Sequence, residues 1–579
     1  MNFNGFNLNK EDWLCLAVLI IFSFICTAKM MLFCMSGCIL DPDIALYLLS
    51  GLKYAGLDFF NVAYAEDLFY TPVISFLTSL FFRMGYVDKN AIIIVTSIFS
   101  FLGYIGLYSL LKRRFNSLLS LTGVIIFGSF LVVIFSISKG MLDIPVVSIS
   151  MWVLLFAIMA IDDNPKYFLI AFPLLVIAFF VKYIAGFMLP LILLYYCMKR
   201  NIVDEFDCLL YDRTLFIEKL KGYLSSKEFK YIILSIIISL ILTVVICKTL
   251  ILDFGGTLSF FDQSVNTFNG HDFSASGINF DSDKSFYLDR ITDILFGSSK
   301  HSHNLAKLVY AICGIGLIIK CITNLSKFKT KKSSFKTKYL NKILIIFSLI
   351  FLFISFLTFK EIPNHMASNI CLLILLTFIY AILQKFDFDN ELLSLDFLFL
   401  AYFLINFIFA SLYATKVDRY ALPFIPPIVY FVILGLEGIV ENINFKGLSK
   451  LKLDKIIPII LIVIFMSSTF SFIAPIEYDR SNDVIYALSY HGYKGDLTDA
   501  CDFIINNDSD YHNESFASYY HHSRIIRWYL NVNTTILVED DPGLADFDNT
   551  TYIIISGDVD FNNYHKIKNC GDFNIYRHN

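Results

Sequence analysis

The sequence predicts a polytopic α-helical membrane protein that ends in a small α/β domain. Of its 579 residues, 57% are hydrophobic and only 17% are charged, whereas soluble domains are usually about 45–50% apolar. The mean hydropathy is +0.65. Many apolar runs approach or exceed the roughly 18–20 residues that a helix needs to cross a bilayer. The composition therefore excludes an ordinary soluble domain.

The apolar runs predict about thirteen spanning helices. The segment 72–85 is apolar over only about 14 residues, so it is predicted to re-enter the membrane or to lie on its surface within the first external loop, 36–90. The two runs on either side of Lys182 are short, and one long helix is the alternative there. The predicted spans are 13–35, 91–111, 118–138, 142–161, 167–181, 184–197, 231–252, 303–325, 341–359, 366–384, 396–414, 420–440 and 456–475.

The distribution of Lys and Arg predicts the orientation, because cytoplasmic loops are rich in both. The run 327–342 holds seven lysines and no acid, and "KRRF" at 112–115 falls on the same side. The loops 36–90 and 253–302 carry more acid than base. We therefore expect a cytoplasmic N-terminus and an external C-terminus. Residue usage typical of an AT-rich prokaryotic genome favours the plasma membrane.

The chain becomes polar after about residue 475, which predicts a membrane domain, 1–475, and an extracytoplasmic α/β domain, 476–579. In the tail, "TDACDFIINN" predicts a helix, and "TTILVED", "TYIIISGD" and "DFNIYRH" predict three strands. Cys501 and Cys570 both lie there, and a disulfide between them is one of two open alternatives if the tail faces an oxidising space.

The aromatic and basic segment 519–530, "YYHHSRIIRWYL", predicts an amphipathic helix. In this interpretation Ile525, Ile526, Trp528 and Tyr529 are partly buried against the sheet of the tail. The alternative is a surface that contacts an acceptor glycan.

Ionisable residues gather where the first loop begins. Asp41 and Asp43 follow the first span, and a carboxylate close to apolar surroundings has a raised pKa and can accept a proton. Asp before Pro is also a frequent N-cap, which the local pattern favours for Asp41. Both interpretations hold if Asp41 caps the helix and Asp43 acts.

Further ionisable residues are predicted on the same side. Each cation alone is explained by snorkelling to the interface. Together with the carboxylates they suit an anionic lipid head group, with its phosphate held by Lys and Arg and a carboxylate left for acid–base catalysis. They occur in "YTP" (Tyr70), "SKGMLDIP" (Lys139 and Asp143), "FFVKYIAG" (Lys182) and "TKVDRYALPFIPP" (Lys416, Asp418, Arg419 and Tyr420).

The order of these motifs resembles that of the GT-C membrane glycosyltransferases, especially the protein O-mannosyltransferases and the lipid A aminoarabinose transferases. That family has Asp-Glu shortly after the first helix and a Tyr three residues after the Glu. Here Asp43 matches the Asp, Ile44 replaces the Glu and Tyr47 matches the Tyr. "RYALPFIP" from Arg419 matches the family's Arg-Tyr-x-x-Pro-x-x-Pro.

Three other motifs extend the resemblance, which covers about residues 1–475. "YTPVISFLTSLFFRMG" resembles the Pro-rich stretch that opens an apolar surface helix, with one Pro where two are usual. "SKGMLDIP" resembles the segment that ends in Asp before a helix, and Lys182 ends an apolar run as a Lys does in the family.

The resemblance implies an inverting transfer of a hexose or pentose from a polyprenyl (dolichyl)-phosphate donor to an extracytoplasmic protein, glycan or lipid. Asp43 would be the base, with Asp41 as the alternate. The phosphate would be held by Lys182 and Arg419, with Lys139 or Lys416 helping. The residues that would shape the site are Tyr47, Tyr70, Asp143 and Tyr420.

The replacement of the family's Glu by Ile44 leaves open whether a divalent cation, Mg²⁺ or Mn²⁺, takes part. No other cofactor is expected, and no nucleic acid is expected as a partner. The main alternative is a transporter or flippase of a lipid-linked saccharide, which predicts paired halves and polar residues near the midplane. A scaffold or sensor would explain the tail but not the cations at Lys182 and Arg419.

Overall fold

A computed structural model describes the greater part of the chain. The described residues are 10–37, 40–58, 71–200, 213–258, 261–262, 265, 283–297, 300–324, 372–377, 379–380, 383, 390–413, 415–442, 453–473, 496–537, 550–559, 561 and 563–579.

The membrane part of the described chain is built from helices. Short 3₁₀ turns lie at Pro165–Tyr167, Tyr183–Phe187 and Asp418–Phe424. The helices are α1 (Lys10–Gly37), α2 (Pro42–Ala55), α3 (Val73–Arg83), α4 (Asn90–Leu111), α5 (Ser117–Ser129), α6 (Leu131–Ser136), α7 (Asp143–Asp162), α8 (Phe168–Val181), α9 (Met188–Lys199), α10 (Arg213–Ser225), α11 (Lys227–Ile246), α12 (Phe286–Phe296), α13 (Lys300–Asn324), α14 (Asn390–Leu412), α15 (Ile425–Asn442) and α16 (Leu453–Ile473).

Eight stretches of the described chain are long and apolar enough to cross a membrane. The predicted spans 341–359 and 366–384 lie wholly or largely outside the described residues, so the count of about thirteen stays a prediction. The eight stretches are Lys10–Met35, Asn90–Leu111, Asp143–Asp162, Lys227–Phe254, His303–Thr323, Leu392–Leu412, Asp418–Asn442 and Asp454–Ile473, and four shorter apolar helices are Val73–Arg83, Ser117–Ser129, Pro165–Val181 and Tyr183–Lys199.

Three local expectations can be compared with the helices. The span 118–138 is wrong as one continuous helix, because the buried Phe130 is extended (φ −71°, ψ 131°) and separates α5 from α6. The runs around Lys182 are two helices, because Lys182 is extended (φ −162°, ψ 130°). Helix α3 has 11 residues, which at about 1.5 Å per residue cannot cross a core of about 30 Å.

Ion pairs join several helix ends at one end of the membrane part. We call this end, at which α4 and α7 terminate, the opposite face. Lys112 lies 3.0 Å from Asp12, joining the end of α4 to the start of α1. Arg113, next to Lys112, lies 2.8 Å from Asp163 at the end of α7, and Lys199 lies 3.2 Å from Asp162, joining α9 to α7. Arg114 contacts Asp396 at 3.3 Å and Glu437 at 2.9 Å, adding α14 and α15. The ends of α1, α4, α7, α9, α14 and α15 therefore share this face.

The described part of the tail forms a five-stranded mixed sheet with two helices. The strand order is β2-β1-β3-β5-β4. Strand β1 pairs in parallel with β2 and β3, and β5 pairs antiparallel with β3 and β4. The elements are α17 (Asp496–Asn507), β1 (Phe516–Tyr519), α18 (Tyr520–Leu530), β2 (Thr534–Leu537), β3 (Tyr552–Ser556), β4 (Tyr564–Cys570) and β5 (Phe573–His578).

The predicted helix and three predicted strands correspond to α17, β2, β3 and β5. Strands β1 and β4 were not predicted from the sequence. Strand β4 is a polar edge strand without a buried face, and β1 has only four residues, so neither leaves a period-two signal. Cys501 and Cys570 are both free thiols, and the predicted boundary at 475/476 lies outside the described residues.

Candidate active site

The start of α2 places two carboxylates next to each other. Asp41 is the N-cap (φ −76°, ψ 144°), Pro42 is the first helical residue, and the Asp41 carboxylate accepts a hydrogen bond from the backbone N–H of Asp43 at 2.9 Å. The predicted cap is therefore confirmed. Asp41 is only 9% exposed, while Asp43, one turn before Tyr47, remains open for other contacts.

A tight turn before α7 brings a cation and a third carboxylate to the same place. Ser138 and Gly140 both have positive φ, 62° and 85°, a conformation that glycine adopts without strain. A Cβ on Gly140 would lie 3.3 Å from a methyl group of Ile44 on α2, so the turn packs directly on the first-loop helix. Lys139 lies in this turn, and Asp143 is the first residue of α7.

Lys182 lies at the break between helices α8 and α9. The hydroxyl of Thr71 donates a 2.7 Å hydrogen bond to the carbonyl of Val181, the last residue of α8. This bond satisfies a carbonyl that the helix leaves unpaired at its end. Lys182 then adopts an extended backbone, and its ammonium lies 2.6 Å from Asp143 Oδ1 and 4.8 Å from the ring centre of Tyr420.

Arg419, in the 3₁₀ turn before α15, connects the carboxylates of Asp43 and Asp143. Its Nη2 donates to Asp43 Oδ2 at 2.9 Å, and its Nε lies 3.8 Å from Asp143 Oδ2. Its Nη1 donates to the sulfur of Met141 at 3.4 Å. Four segments of the sequence therefore meet here, in a cluster of Asp41, Asp43, Lys139, Asp143, Lys182, Arg419 and Tyr420.

Arg524, from α18 of the C-terminal domain, also reaches this cluster. Its Nη1 lies 3.9 Å from Asp43 Oδ1, and its side chain is 2% exposed. Sequence reasoning missed this residue. The signal that points to it is an arginine pair, Arg524 and Arg527, three residues apart on a helix whose isoleucines are also buried, because a guanidinium is rarely buried unless it is paired.

The electrostatic surroundings shift the pKa values of Asp41 and Asp43 in opposite directions. Partial burial acts to raise the pKa of Asp43, but the charges of Arg419 and Arg524 and the hydrogen bond from Arg419 bring it below its ordinary value. Burial and the negative charge of Asp43 raise the pKa of Asp41, against the positive charges of Arg419 and Lys139. The expected elevated pKa is therefore wrong for Asp43 and holds for Asp41.

Exposure distinguishes the carboxylates further. The side chain of Asp43 is 34% exposed, whereas that of Asp143 is 7% exposed and is engaged by two cations. Asp43 is thus the most exposed carboxylate of this cluster, the one that an incoming molecule can reach, and its cationic neighbours hold its pKa below the ordinary value.

Three other predicted site residues are Tyr47, Tyr70 and Lys416. Tyr47 is buried on α2, and Tyr70 lies outside the described residues. The Lys416 ammonium donates hydrogen bonds to the carbonyls of Ala410, Ser411 and Tyr413 at the end of α14, so Lys416 caps this helix rather than joining the cluster.

The described residues do not fit a divalent cation. No group of three or more His, Cys, Asp or Glu side chains among them could hold a metal ion. In the cluster, the oxygens of Asp43 and Asp143 face Arg and Lys nitrogens, and Asp41 accepts a backbone hydrogen bond.

The segment 519–530 forms α18 from Tyr520, with Ile525 and Ile526 buried as predicted. The helix also packs on the membrane part, since Trp528 stacks on Phe82 of α3 with ring centres 5.9 Å apart.

Comparisons with known proteins show similarity in sequence and in fold. Residues 70–210 match the model of the family described as dolichyl-phosphate-mannose-protein mannosyltransferase. The structure of ArnT from Cupriavidus metallidurans bound to undecaprenyl phosphate matches with a TM-score of 0.54 at 11% identity, over 98% of this chain and 98% of that chain. No curated protein sequence matches the chain.

The archaeal oligosaccharyltransferase AglB from Archaeoglobus fulgidus, in complex with an inhibitory peptide and a dolichol-phosphate, also matches. Its TM-score is 0.43 at 11% identity, over 94% of this chain and 69% of that chain. The segment that matches the family model contains Lys139, Asp143 and Lys182. The predicted resemblance is confirmed at the level of the fold: the chain is a multi-pass membrane protein with the GT-C fold.

Proposed function

We propose that this protein moves a sugar from a polyprenyl (dolichyl)-phosphate donor to an acceptor at the face that carries the cluster, which we call the site face. The observation that carries the proposal is an accessible, ionised Asp43 beside Arg419, with Lys182 close to both. A transferase with a lipid-phosphate donor needs a base for the acceptor and cations for the departing phosphate.

The proposed reaction is a single displacement. An oxygen or nitrogen of the acceptor forms a bond to the anomeric carbon of the sugar, and its proton passes to the Asp43 carboxylate. The bond from the anomeric carbon to the phosphate oxygen breaks on the opposite side, which inverts the configuration. The polyprenyl phosphate leaves with the bonding electron pair.

Cations that engage the phosphate more strongly as its charge grows lower the barrier. Lys182 and Arg419 take this role in the proposal, with Lys139 adding positive charge beside Asp41. Tyr420, whose ring lies under the Lys182 ammonium, limits where that ammonium can move. Asp143 holds Lys182 and Arg419 near each other, and Tyr47 and Tyr70 are proposed to complete the walls of the site.

The comparisons support the class of donor. The ArnT structure holds undecaprenyl phosphate, and the matching family is described as using dolichyl-phosphate-mannose. A polyprenyl phosphate is accordingly the leaving group that we propose here. The sugar is a hexose or a pentose, and the acceptor is a protein, glycan or lipid outside the cytoplasm.

We also propose a plasma-membrane location, a cytoplasmic N-terminus, and a division into a membrane domain, 1–475, and an extracytoplasmic domain, 476–579. The support is the set of basic residues on the opposite face, where Lys112 pairs with Asp12 at the start of α1 and Arg113, Arg114 and Lys199 pair with acids of α7, α14 and α15. Basic residues concentrate on the cytoplasmic side of membrane proteins. The site face would then point outward.

The test uses the full-length protein purified in lipid, with a panel of polyprenyl-phosphate sugars and the release of polyprenyl phosphate as the readout. We expect release by the wild type, and loss of release with retained donor binding in Asp43→Asn. Release that persists in Asp43→Asn but stops in Asp41→Asn would move the base to the N-cap.

If no donor is bound or turned over, the transferase proposal fails. Translocation of a lipid-linked saccharide in vesicles would then be measured, because it is the outcome expected of a flippase.

A further inference from the structure

The C-terminal domain docks on the part of the membrane domain that carries the base. Helix α18 packs against α2, the helix that begins at Pro42, and Trp528 stacks on Phe82 at an interplanar angle of 26°. Ile525 and Ile526 are 3% and 0% exposed. The helix is therefore enclosed between its own sheet and the first-loop helices.

This docking buries Arg524 next to Asp43. The two oxygens of the Asp43 carboxylate face different guanidinium groups, Oδ2 facing Arg419 at 2.9 Å and Oδ1 facing Arg524 at 3.9 Å. One guanidinium comes from the membrane domain and the other from the C-terminal domain. With Arg524 included, the cluster holds four cations, Lys139, Lys182, Arg419 and Arg524, and three carboxylates, Asp41, Asp43 and Asp143.

The Asp43 carboxylate, held between two arginines, competes with an anionic ligand for those arginines. Guanidinium groups bind carboxylates and phosphates through the same paired hydrogen-bond geometry. A phosphodiester head group that enters the cluster meets guanidiniums already engaged by Asp43. It binds by replacing the Asp43 carboxylate as the partner of one guanidinium. The four cations of the cluster outnumber its three carboxylates, and this excess of positive charge favours entry of the phosphate.

We propose that Arg524 is a positioning residue through which the C-terminal domain completes the site: with Arg419 it holds Asp43 until a lipid-linked phosphate displaces the carboxylate from one guanidinium. Losing a cationic partner makes a carboxylate a better proton acceptor. Donor binding therefore prepares Asp43 to deprotonate the acceptor. This inference rests on the proposed function for its reaction, but the exchange itself is a binding equilibrium that can be measured without turnover.

The experiment measures the binding of undecaprenyl phosphate to the full-length protein in lipid. We expect Asp43→Asn to bind it several-fold more tightly than the wild type, because the competing carboxylate is gone. Arg524→Gln should bind several-fold more weakly, and Arg524→Lys should recover part of the loss. Arg577→Gln removes a charge from the same domain, where Arg577 lies 3.9 Å from Asp508, and should bind as the wild type does.

A second measurement tests the contact without any ligand. In thermal unfolding, the loss in Tm of the double variant Asp43→Asn, Arg524→Gln should be smaller than the sum of the two single losses, as for residues in contact. If Arg524→Gln does not fold, Arg524→Lys takes its place in both measurements.

Additive Tm losses would overturn the contact between Arg524 and Asp43. Binding that Asp43→Asn leaves unchanged or weakens would overturn the exchange. A wild type that binds undecaprenyl phosphate as described but transfers no sugar would leave the inference standing and refute the proposed function.

Discussion

Lys182 offers the sharpest test of the cationic cluster. In the structure it is the partner of Asp143 at 2.6 Å, and Asp143 is nearly buried. In Lys182→Gln, Asp143 keeps Arg419 as its remaining cationic partner within the cluster, at 3.8 Å. Arg419 is then shared between Asp143 and Asp43, so the substitution removes one phosphate-binding cation and draws away another.

The size of the effect follows from these distances. Removing one group that stabilises developing charge costs roughly 10²–10³ in kcat. With an effective dielectric constant of about 20, moving Arg419 from 3.8 Å to about 2.8 Å from Asp143 gains roughly 1.5 kcal/mol. That gain corresponds to about a tenfold bias against the Asp43 contact. The double variant Lys182→Gln, Asp143→Asn removes this bias. Its kcat should therefore be about tenfold higher than that of Lys182→Gln alone.

The assay is the release of polyprenyl phosphate under saturating donor, with Lys199→Gln as the matched control. Lys199 has the same local arrangement on the opposite face: it lies 3.2 Å from Asp162 and 5.4 Å from the ring centre of Tyr195, and is 18% exposed against 19% for Lys182. We expect Lys199→Gln to keep wild-type kcat within about threefold, since it is far from charge development. A double variant no faster than Lys182→Gln, or an equal loss in Lys199→Gln, would refute the reasoning.

Three further predictions concern pH and stability. Two guanidiniums outweigh partial burial and keep the pKa of Asp43 low. We therefore expect kcat/KM to stay constant as the pH falls from 8 to about 5 and to be lost only on further acidification. A decrease in kcat/KM that begins above pH 5 would contradict the assignment of Asp43 as the base. Arg114→Ala removes the cation shared by the half-buried Asp396 and Glu437 and should lower the stability by about 1–3 kcal/mol, whereas Arg113→Ala, whose partner Asp163 is exposed, should cost about 0–1 kcal/mol; equal Tm values would argue against a partly buried network. Gly316→Ala would drive a methyl group into the backbone of α15 and lower the Tm, whereas Gly314→Ala, with open space around it, should leave the Tm unchanged or raise it slightly, because Ala favours a helix over Gly.

The sequence alone was sufficient where the physics is local. The Asp41 cap depends on Asp, Pro and the next backbone N–H, all within three residues, and it was predicted. The separation of the helices at Lys182 was left open, because it depends on the distant hydroxyl of Thr71 bonding to the carbonyl of Val181. The break at Phe130 leaves no mark in hydropathy, since the residues on both sides of it are apolar.

For the candidate site, the order of short motifs was enough to nominate Asp43, Lys182 and Arg419, because each stands at the end of an apolar run where a charge is costly. It was not enough to show how they pair. Lys416 and Arg419 stand three residues apart in one loop, yet the structure turns the first toward helix carbonyls and the second toward Asp43.

The amino-acid sequence by itself determined that this chain crosses the membrane many times, that it ends in a small α/β domain, and which loops carry the ionisable residues. Hydropathy and short-range patterns are properties of neighbouring residues, so they can be read directly along the chain. Only the tertiary structure decided that Asp43 is held between Arg419 and Arg524, which brings its pKa down while that of Asp41 goes up. That outcome depends on the docking of α18 against α2, and the charges that meet there come from opposite ends of the chain.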